Sequence, residues 1–155
     1  MSLDKYRKIY SQNRNYSIGV EEEFMICDPS TGKLKNKASE IMSLVSDKDR
    51  YSYELLLSEI ETNTPICSTV KESIEFLAIQ RAELRDIGHK EGFKIGVSGT
   101  HPTAKAIDQK FVSNNSYNWV AEQLQYYAKR NITFSTHIHI SVDNPDRAIK
   151  ITNAT

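Results

Sequence analysis

Four stretches of the chain have the apolar and β-branched composition of strands, and polar or turn-forming residues separate them. We predict strands over Tyr16–Cys27, Leu55–Asn63, Phe93–Gly99 and Ile132–Val142. A turn at Asp28–Gly32, in which proline is followed by glycine, predicts a short return strand at Leu34–Asn36. The segment 46–52 is predicted to be a polar connection.

Helical spacing is clearest between the second and third predicted strands. Thr69 and Glu72 have the spacing of a capping box, and Gly92 is placed to end the helix. The apolar residues expected on its buried face are Val70, Ile74, Leu77, Leu84 and Ile87.

Three shorter helices are also predicted. One covers Lys37–Val45, and another runs from Ser116 to about Arg130. The inward residues expected in the second are Trp119, Val120, Leu124 and Tyr127. A third begins at Asn144-Pro145, an N-cap followed by proline at the first helical position.

The alternation of strands and helices would suit a parallel α/β sheet. However, strands of a parallel sheet covered on both sides are continuous apolar runs, whereas three of these strands carry polar side chains on one face. We therefore predict an α+β fold, in which a largely antiparallel sheet has helices packed on one face and a polar, open face on the other.

Charge and composition argue against nucleic acid and membranes as binding partners. The 155 residues include 20 Lys+Arg and 20 Asp+Glu, a net charge of zero, so no field of one sign attracts nucleic acid or an anionic membrane. No window approaches the roughly 20 apolar residues of a membrane span, and the polar N-terminus lacks the apolar core of a secretion signal. Cys27 and Cys67 match no zinc or disulfide pattern, so we expect reduced thiols and a cytoplasmic protein.

Acids and histidines recur two positions apart in three of the predicted strands, and such side chains project from the same face. The pairs are Glu21 and Glu23, Glu59 and Glu61, and His137 and His139, and Glu54 precedes the second pair. Carboxylate oxygens with one or two imidazoles suit Mg²⁺ or Mn²⁺. The pattern predicts a metal site on the open face.

Each pair also has a purely structural interpretation. The glutamates of the first strand would then form a solvated face, and the histidines would belong to a polar outer face flanked by serines. Three adjacent like charges repel one another within a strand, and a cation offsets that repulsion, which favours the metal interpretation. Glu22 then points to the same side as Val20 and Phe24. Gly99-Thr100-His101-Pro102, directly after the third strand, suits either a ligand loop or a tight turn.

Four motifs follow one another within Ile18–Ile149: GVEEEF, ELLLSEIETNTPIC, GTHP and THIHISV. In this order they resemble the motifs of the carboxylate–amine ligases of the second glutamate–cysteine ligase family, part of the glutamine synthetase superfamily. The resemblance implies a glutamine synthetase-like catalytic half, with divalent cations and ATP held on the concave face of an antiparallel sheet.

The resemblance also implies roles for single residues. It implies metal ligands at Glu21, Glu23, Glu54, Glu61 and His137, a catalytic residue facing the phosphates at His139, and an amino-acid substrate pocket lined by Thr100 and His101. The implied ligase uses ATP and Mg²⁺ (or Mn²⁺) to phosphorylate a glutamate-like carboxylate, and a cysteine-like amine then displaces the phosphate.

Members of this family are considerably longer than 155 residues. The polar sequence of 1–15 predicts an N-terminal arm or initial helix. The resemblance implies that 16–155 is an N-terminal part of a ligase catalytic domain, truncated at its C-terminus and inactive alone. A sheet left unfinished has an open edge, which predicts a homo-oligomer.

Two other functions stay open at this point. A non-catalytic metal-binding or interaction domain would keep the sheet and its ligands without the reaction. A metal-dependent hydrolase would use a water held by His and Glu, but the chain contains no HExxH and no cysteine-containing zinc spacing.

Overall fold

The computed structural model describes residues 3–12, 16–113 and 132–155. Its helices are α1 (Leu3–Tyr10), α2 (Ala38–Leu44), α3 (Val70–Glu91) and α4 (Pro145–Thr152). Its strands are β1 (Ile18–Cys27), β2 (Tyr51–Ser52), β3 (Glu59–Asn63), β4 (Lys94–Gly96) and β5 (Thr136–Ile140). Two 3₁₀ turns occupy Lys48–Arg50 and Ala106–Asp108. None of the helices described is long and apolar enough to cross a membrane.

The strand β1 is the centre of a five-stranded antiparallel sheet. Along one edge it pairs with β3, and β2 follows beyond β3. Its other edge is shared by two strands, β5 beside residues 18–22 and β4 beside residues 25–27. The predicted α+β fold with an antiparallel sheet is confirmed.

Alternate residues of β1 face opposite sides of this sheet. The side that carries Val20, Glu22, Phe24 and Ile26 is buried, whereas Glu21 and Glu23 on the other side are partly exposed. The buried side forms the core with the helices, and its main members are Phe24, Ile26, Ile41, Tyr51, Ile60, Leu84, Ile87 and Phe93. Each such apolar side chain contributes about 1.5–3 kcal/mol when it is fully buried.

The helix α3 begins and ends where the sequence predicts, and its buried face agrees with the prediction in part. Thr69 Oγ1 accepts a hydrogen bond from the Glu72 backbone N at 3.1 Å, and Gly92 ends the helix with φ of 69°. The prediction that Val70 and Ile74 are buried is wrong, because these side chains are 62% and 58% exposed. Leu84 and Ile87 are buried as predicted, together with Ser73, Gln80 and Gly88.

Gln80 is a polar residue on this buried face and has backbone partners there. Its Nε2 donates to the backbone carbonyls of Asn63 at 2.9 Å and Arg50 at 3.3 Å. These carbonyls lie at the ends of β3 and of the first 3₁₀ turn, where an apolar side chain could not satisfy them. A polar residue therefore replaces part of the expected apolar stripe.

The second predicted strand is too long at its N-terminal end. Residues 55–57 do not continue β3, because their backbone pairs elsewhere: Leu57 N donates to Lys110 O at 2.8 Å, and Val112 N donates to Leu55 O at 3.0 Å. The polar connection at 46–52 is also wrong in part, since it contains a 3₁₀ turn and β2. β1, β4 and β5 are shorter than predicted, and the return strand is a single bridge between Leu34 and Cys27.

The remaining helices agree with the sequence where they are described. α2 lies within the predicted Lys37–Val45. Asn144 Oδ1 caps α4 by accepting from the backbone N of Asp146 at 2.8 Å and of Arg147 at 3.2 Å. The N-terminal segment contains α1. The helix predicted from Ser116 to Arg130 lies outside the described residues, as do its inward residues Trp119, Val120, Leu124 and Tyr127.

Candidate metal centre

Strand pairing brings the acids of β1 and β3 and a histidine of β5 to one face of the sheet. Glu23 lies directly opposite Glu61, and Glu21 lies between Asn63 on one neighbouring strand and His137 on the other. Cross-strand partners share a face. The open face therefore carries Glu21, Glu23, Glu61 and His137 together.

These residues form two overlapping sets of three possible ligands. Glu21, Glu61 and His137 make one set, and Glu23, Glu54 and Glu61 make the other. Within each set the nearest oxygen or nitrogen atoms all lie within 4.8 Å of one another. Ligands bind Mg²⁺ or Ca²⁺ at about 2.0–2.6 Å, so atoms on opposite sides of one ion are about 4–5 Å apart. The donor sets fit divalent cations that share Glu61.

The imidazoles of β5 lie at the Glu21 side of the cluster. His137 Nδ1 is 3.3 Å from Glu21 Oε2 and 4.0 Å from Glu23 Oε1. His139 Nε2 is 3.0 Å from the same Glu21 oxygen, but its register partner is Gly19. His139 belongs to neither ligand set and therefore lies beside the candidate metal centre.

Serine hydroxyls orient two of the carboxylates. Glu23 Oε2 accepts from the backbone N and the Oγ of Ser135, at 2.6 and 2.7 Å. Glu61 Oε1 accepts from Ser52 Oγ at 2.8 Å, and that hydroxyl accepts from Asn63 Nδ2 at 2.9 Å. Such outer contacts fix the direction of metal-ligating carboxylates. Sequence reasoning assigned no role to Ser52, because only the pairing of β2 with β3 places it opposite Glu61.

The acids share a pocket of about 210 Å³ on the open face. The ionisable residues that line it are Glu23, Glu54, Glu59 and His137. At 3% exposure Glu59 lies inside the pocket, whereas the sequence alone only paired it with Glu61 on one face of a strand. Its position two residues before Glu61 on one strand is the sequence signal that points to it.

Burial and mutual repulsion disturb the ionisation of two of these acids. Burial, followed by the charges of Glu23, Glu54 and Glu61, raises the pKa of Glu59 to about 9. The same causes, burial first and then the charges of Glu61 and Glu23, raise the pKa of Glu54 to about 7. The carboxylates thus destabilise one another's charged forms, and a bound cation would remove that destabilisation.

The loop after β4 lies outside the lining of this pocket. His101 Nδ1 accepts from the backbone N of Thr103 and Ala104, at 3.3 and 3.0 Å, so its Nε2 donates to Gly32 O at 2.9 Å. Thr100 Oγ1 donates to the Ile132 backbone carbonyl at 2.8 Å. Thr100 also forms a β-bridge with Thr133, which does line the pocket. Both side chains therefore hold the loop in place.

The match to a known family covers the sheet and the candidate metal centre. The sequence model of glutamate–cysteine ligase family 2 matches residues 17–155, which include all five strands and the acids of the open face. The chain belongs to this family. The resemblance drawn from the four motifs is confirmed, and the ligand sets described above lie within the matched region.

Two relatives show how much of a family member this chain spans. A Rubrobacter xylanophilus protein named glutamate–cysteine ligase 2-1 is 38% identical over 143 residues, covering 91% of this chain and 38% of the relative. A Thermobifida fusca protein named glutamate–cysteine ligase 2 is 32% identical over 151 residues, covering 94% of this chain and 38% of the relative. The chain therefore spans 38% of the length of each of these family members.

A solved structure has a similar fold. A bifunctional glutathione synthetase from Pasteurella multocida superposes with a TM-score of 0.57 at 12% sequence identity. The similarity covers 98% of this chain and 20% of that one. At this identity the likeness concerns the fold alone, and it agrees with the α+β arrangement of sheet and helices.

Proposed function

We propose that this chain supplies the cation-binding sheet of an ATP- and Mg²⁺-dependent ligase, which joins a glutamate-like carboxylate to a cysteine-like amine through an acyl-phosphate. The observation that carries the proposal is the pair of three-ligand sets that share Glu61 on one open face. Family membership and the names of the relatives support the class of reaction.

In this proposal Glu21, Glu61 and His137 would hold one cation, and Glu23, Glu54 and Glu61 would hold a second. Divalent cations, when bound, offset the charge on phosphoryl oxygens as phosphate moves from ATP to the carboxylate and then leaves. Ser135 keeps Glu23 aimed into the pocket through its two hydrogen bonds. The protein thus contributes fixed carboxylates and the orientation of the substrates around them.

The residues beside the cations have proposed roles as well. His139 would face the phosphates and donate a hydrogen bond to one of their oxygens, because it lies next to Glu21 but in neither ligand set. Thr100 and His101 would shape the amino-acid pocket through the loop that they hold. Their hydrogen bonds to backbone atoms support this indirect role over direct contact with substrate.

The assembly and location of the enzyme also belong to the proposal. Since the chain spans 38% of the length of its relatives, we assign complete turnover to a protein of their length and expect the 155-residue chain alone to be inactive. All five residues of β5 are exposed, which supports self-association along that strand. We place the protein in the cytoplasm, with ATP, amino acids and amines as its small-molecule partners.

Titration of the 155-residue chain with Mn²⁺, followed by the EPR signal of the free ion, tests the candidate metal centre. Glu61→Gln removes the ligand common to both sets, so the affinity should fall by more than about 100-fold, beyond the 10–100-fold typical of outer contacts. Glu75→Gln is the matched control, because Glu75 is an exposed acid of α3 paired only loosely with Lys71, at 3.9 Å. Equal affinities for the two variants would refute the shared site.

The reaction itself is tested in a protein of the relatives' length, by phosphate release from ATP with glutamate, cysteine and Mg²⁺. We expect release only when all four are present, and a loss of about 10²–10³ in rate for Glu23→Gln. Mn²⁺ binding without any ATP-dependent phosphate release would instead support a non-catalytic metal-binding domain.

A further inference from the structure

The middle glutamate of the GVEEEF motif takes no part in the candidate metal centre and has a partner on the opposite side of the sheet. Glu22 is 6% exposed and faces the helices. Arg81 of α3 donates through Nε to Glu22 Oε2 at 2.8 Å, and through a second guanidinium nitrogen to Glu22 Oε1. The contact is therefore bidentate, and it connects β1 to α3.

This ion pair is the kind that fixes geometry. A buried carboxylate is costly unless it is paired and hydrogen-bonded, and a planar guanidinium that holds both carboxylate oxygens restricts their orientation. The register neighbours of Glu22 are Thr62 on β3 and Thr136 on β5. Arg81 therefore supplies the positive charge at a position where the neighbouring strands supply only threonines.

The place of Glu22 in the strand links this contact to the candidate metal centre. Its chain neighbours on either side, Glu21 and Glu23, are members of the two ligand sets. The peptide units between adjacent residues are planar and stiff, so a change in the direction of the Glu22 Cα–Cβ bond turns the backbone and rotates its neighbours as well. A shift of the strand by one residue would exchange its two faces.

We propose that Arg81 is a positioning residue for the metal centre: by holding Glu22 from the helix side, it keeps Glu21 and Glu23 aimed at their partners on the open face. This inference rests on the proposed function, because it assigns Arg81 to the same cation site. Arg81 donates its hydrogen bonds to Glu22, which belongs to neither ligand set, and it acts through β1.

The sign of the effect on metal affinity distinguishes positioning from simple electrostatics. Removing a positive charge near a cation site should strengthen cation binding on Coulombic grounds. If Arg81 positions the ligands, Arg81→Gln should instead weaken Mn²⁺ binding, by about tenfold, the lower end of the range for outer contacts of a metal site. Mn²⁺ titration of the 155-residue chain measures the difference.

Arg85→Gln is the matched control. Arg85 lies one turn further along α3, its side chain is 61% exposed and its guanidinium contacts Asp86 at 3.0 Å. Because it carries the same charge but does not contact β1, Arg85→Gln should leave Mn²⁺ affinity unchanged. An affinity for Arg81→Gln that matches Arg85→Gln, or exceeds that of the wild type, would overturn the inference.

A double variant separates positioning from general destabilisation. Arg81→Gln leaves Glu22 buried without its cation, which should lower the thermal midpoint, and Glu22→Gln in the same chain should recover much of that loss. Positioning predicts that the double variant recovers stability while Mn²⁺ affinity stays low. Recovery of affinity together with stability would show that Arg81 has only a structural role.

Mn²⁺ binding by the wild-type chain shows whether a negative result contradicts this inference or the proposed function. Absence of Mn²⁺ binding by the wild type would refute the metal centre, and with it the role of Arg81. Normal binding by both the wild type and Arg81→Gln would refute only the role of Arg81.

Discussion

Three consecutive glutamates of β1 have different surroundings on the two faces of the strand. On the helix face, Glu22 is paired with a single guanidinium. On the open face, Glu21 contacts imidazoles and Glu23 accepts from a serine, while the neighbouring carboxyl groups of Glu54 and Glu59 have raised pKa values. Among the described residues that line the acid pocket there is no lysine or arginine.

This difference distinguishes Glu22, whose charge has a structural role, from the acids of the open face, whose charges suit the binding of a cation. The helix face balances its acid within the chain, and that balance contributes to packing β1 on α3. The open face keeps several carboxylates together without an equal number of fixed cations, an arrangement that costs free energy unless cations bind there. The excess of acid on one face, more than the number of acids in the sequence, supports the proposed metal centre.

The largest expected effect concerns packing along the helix face, where Ile60 lies opposite Phe24 and Ile138 lies opposite Val20. Ile60 of β3 is fully buried in the core, whereas Ile138 of β5 is 67% exposed. Ile60→Ala should lower the free energy of unfolding by about 2–5 kcal/mol, and Ile138→Ala by less than about 0.5 kcal/mol. Urea unfolding of the two variants measures both, and a similar loss at Ile138 would show that another part of the protein covers β5.

A second effect is expected from the ionisation of the open face. The ordinary pKa of a glutamate is 4.5, whereas that of Glu54 is raised to about 7 and that of Glu59 to about 9. Between pH 4.5 and 9 the folded chain therefore holds protons that the unfolded chain releases, and stability should fall as the pH rises. In EDTA, we expect a lower thermal midpoint at about pH 8.5 than at about pH 5.5, because both values lie within this window.

Two comparisons make this pH test specific to the acid pocket. Glu59→Gln mimics the protonated acid, so it should reduce the pH dependence and raise the midpoint at alkaline pH. Mg²⁺ should raise the midpoint more at alkaline than at acidic pH, because it binds the ionised carboxylates. The lowered pKa of Asp28, about 2, acts below this window. A midpoint that rises with pH in EDTA would contradict the account of the open face.

The smallest expected effect compares two helix caps. Thr69 caps α3, which packs on the sheet, and Asn144 caps α4, which has no buried residue. Thr69→Ala should cost about 1 kcal/mol of unfolding free energy, whereas Asn144→Ala should leave global unfolding nearly unchanged because α4 can fray locally. Chemical denaturation measures both, and an equal loss for the two caps would indicate that α4 packs against the rest of the protein.

Local patterns in the sequence predicted most of the helices and strands, and they predicted that the acids of a strand lie on one face of the sheet. The capping residues of α3 and α4 act through neighbours three or fewer positions away, so the sequence alone indicates where these helices begin. The period of two along a strand places Glu21 and Glu23 together for the same reason. The composition also supported an antiparallel sheet with one polar face.

The tertiary structure decided what depends on residues far apart in the chain. Pairing of Glu23 with Glu61 and of Glu21 with His137 requires the register of three separate strands. The hydrogen bond of Gln80 to β3, and the contact of Arg81 with Glu22, likewise join residues 17 to 59 positions apart. Periodicity describes one element at a time, so it shows which side chains share a face but not which residue lies opposite them. Which residues lie opposite one another is decided by the packing of the whole fold, because burial and strand pairing depend on all of its elements together.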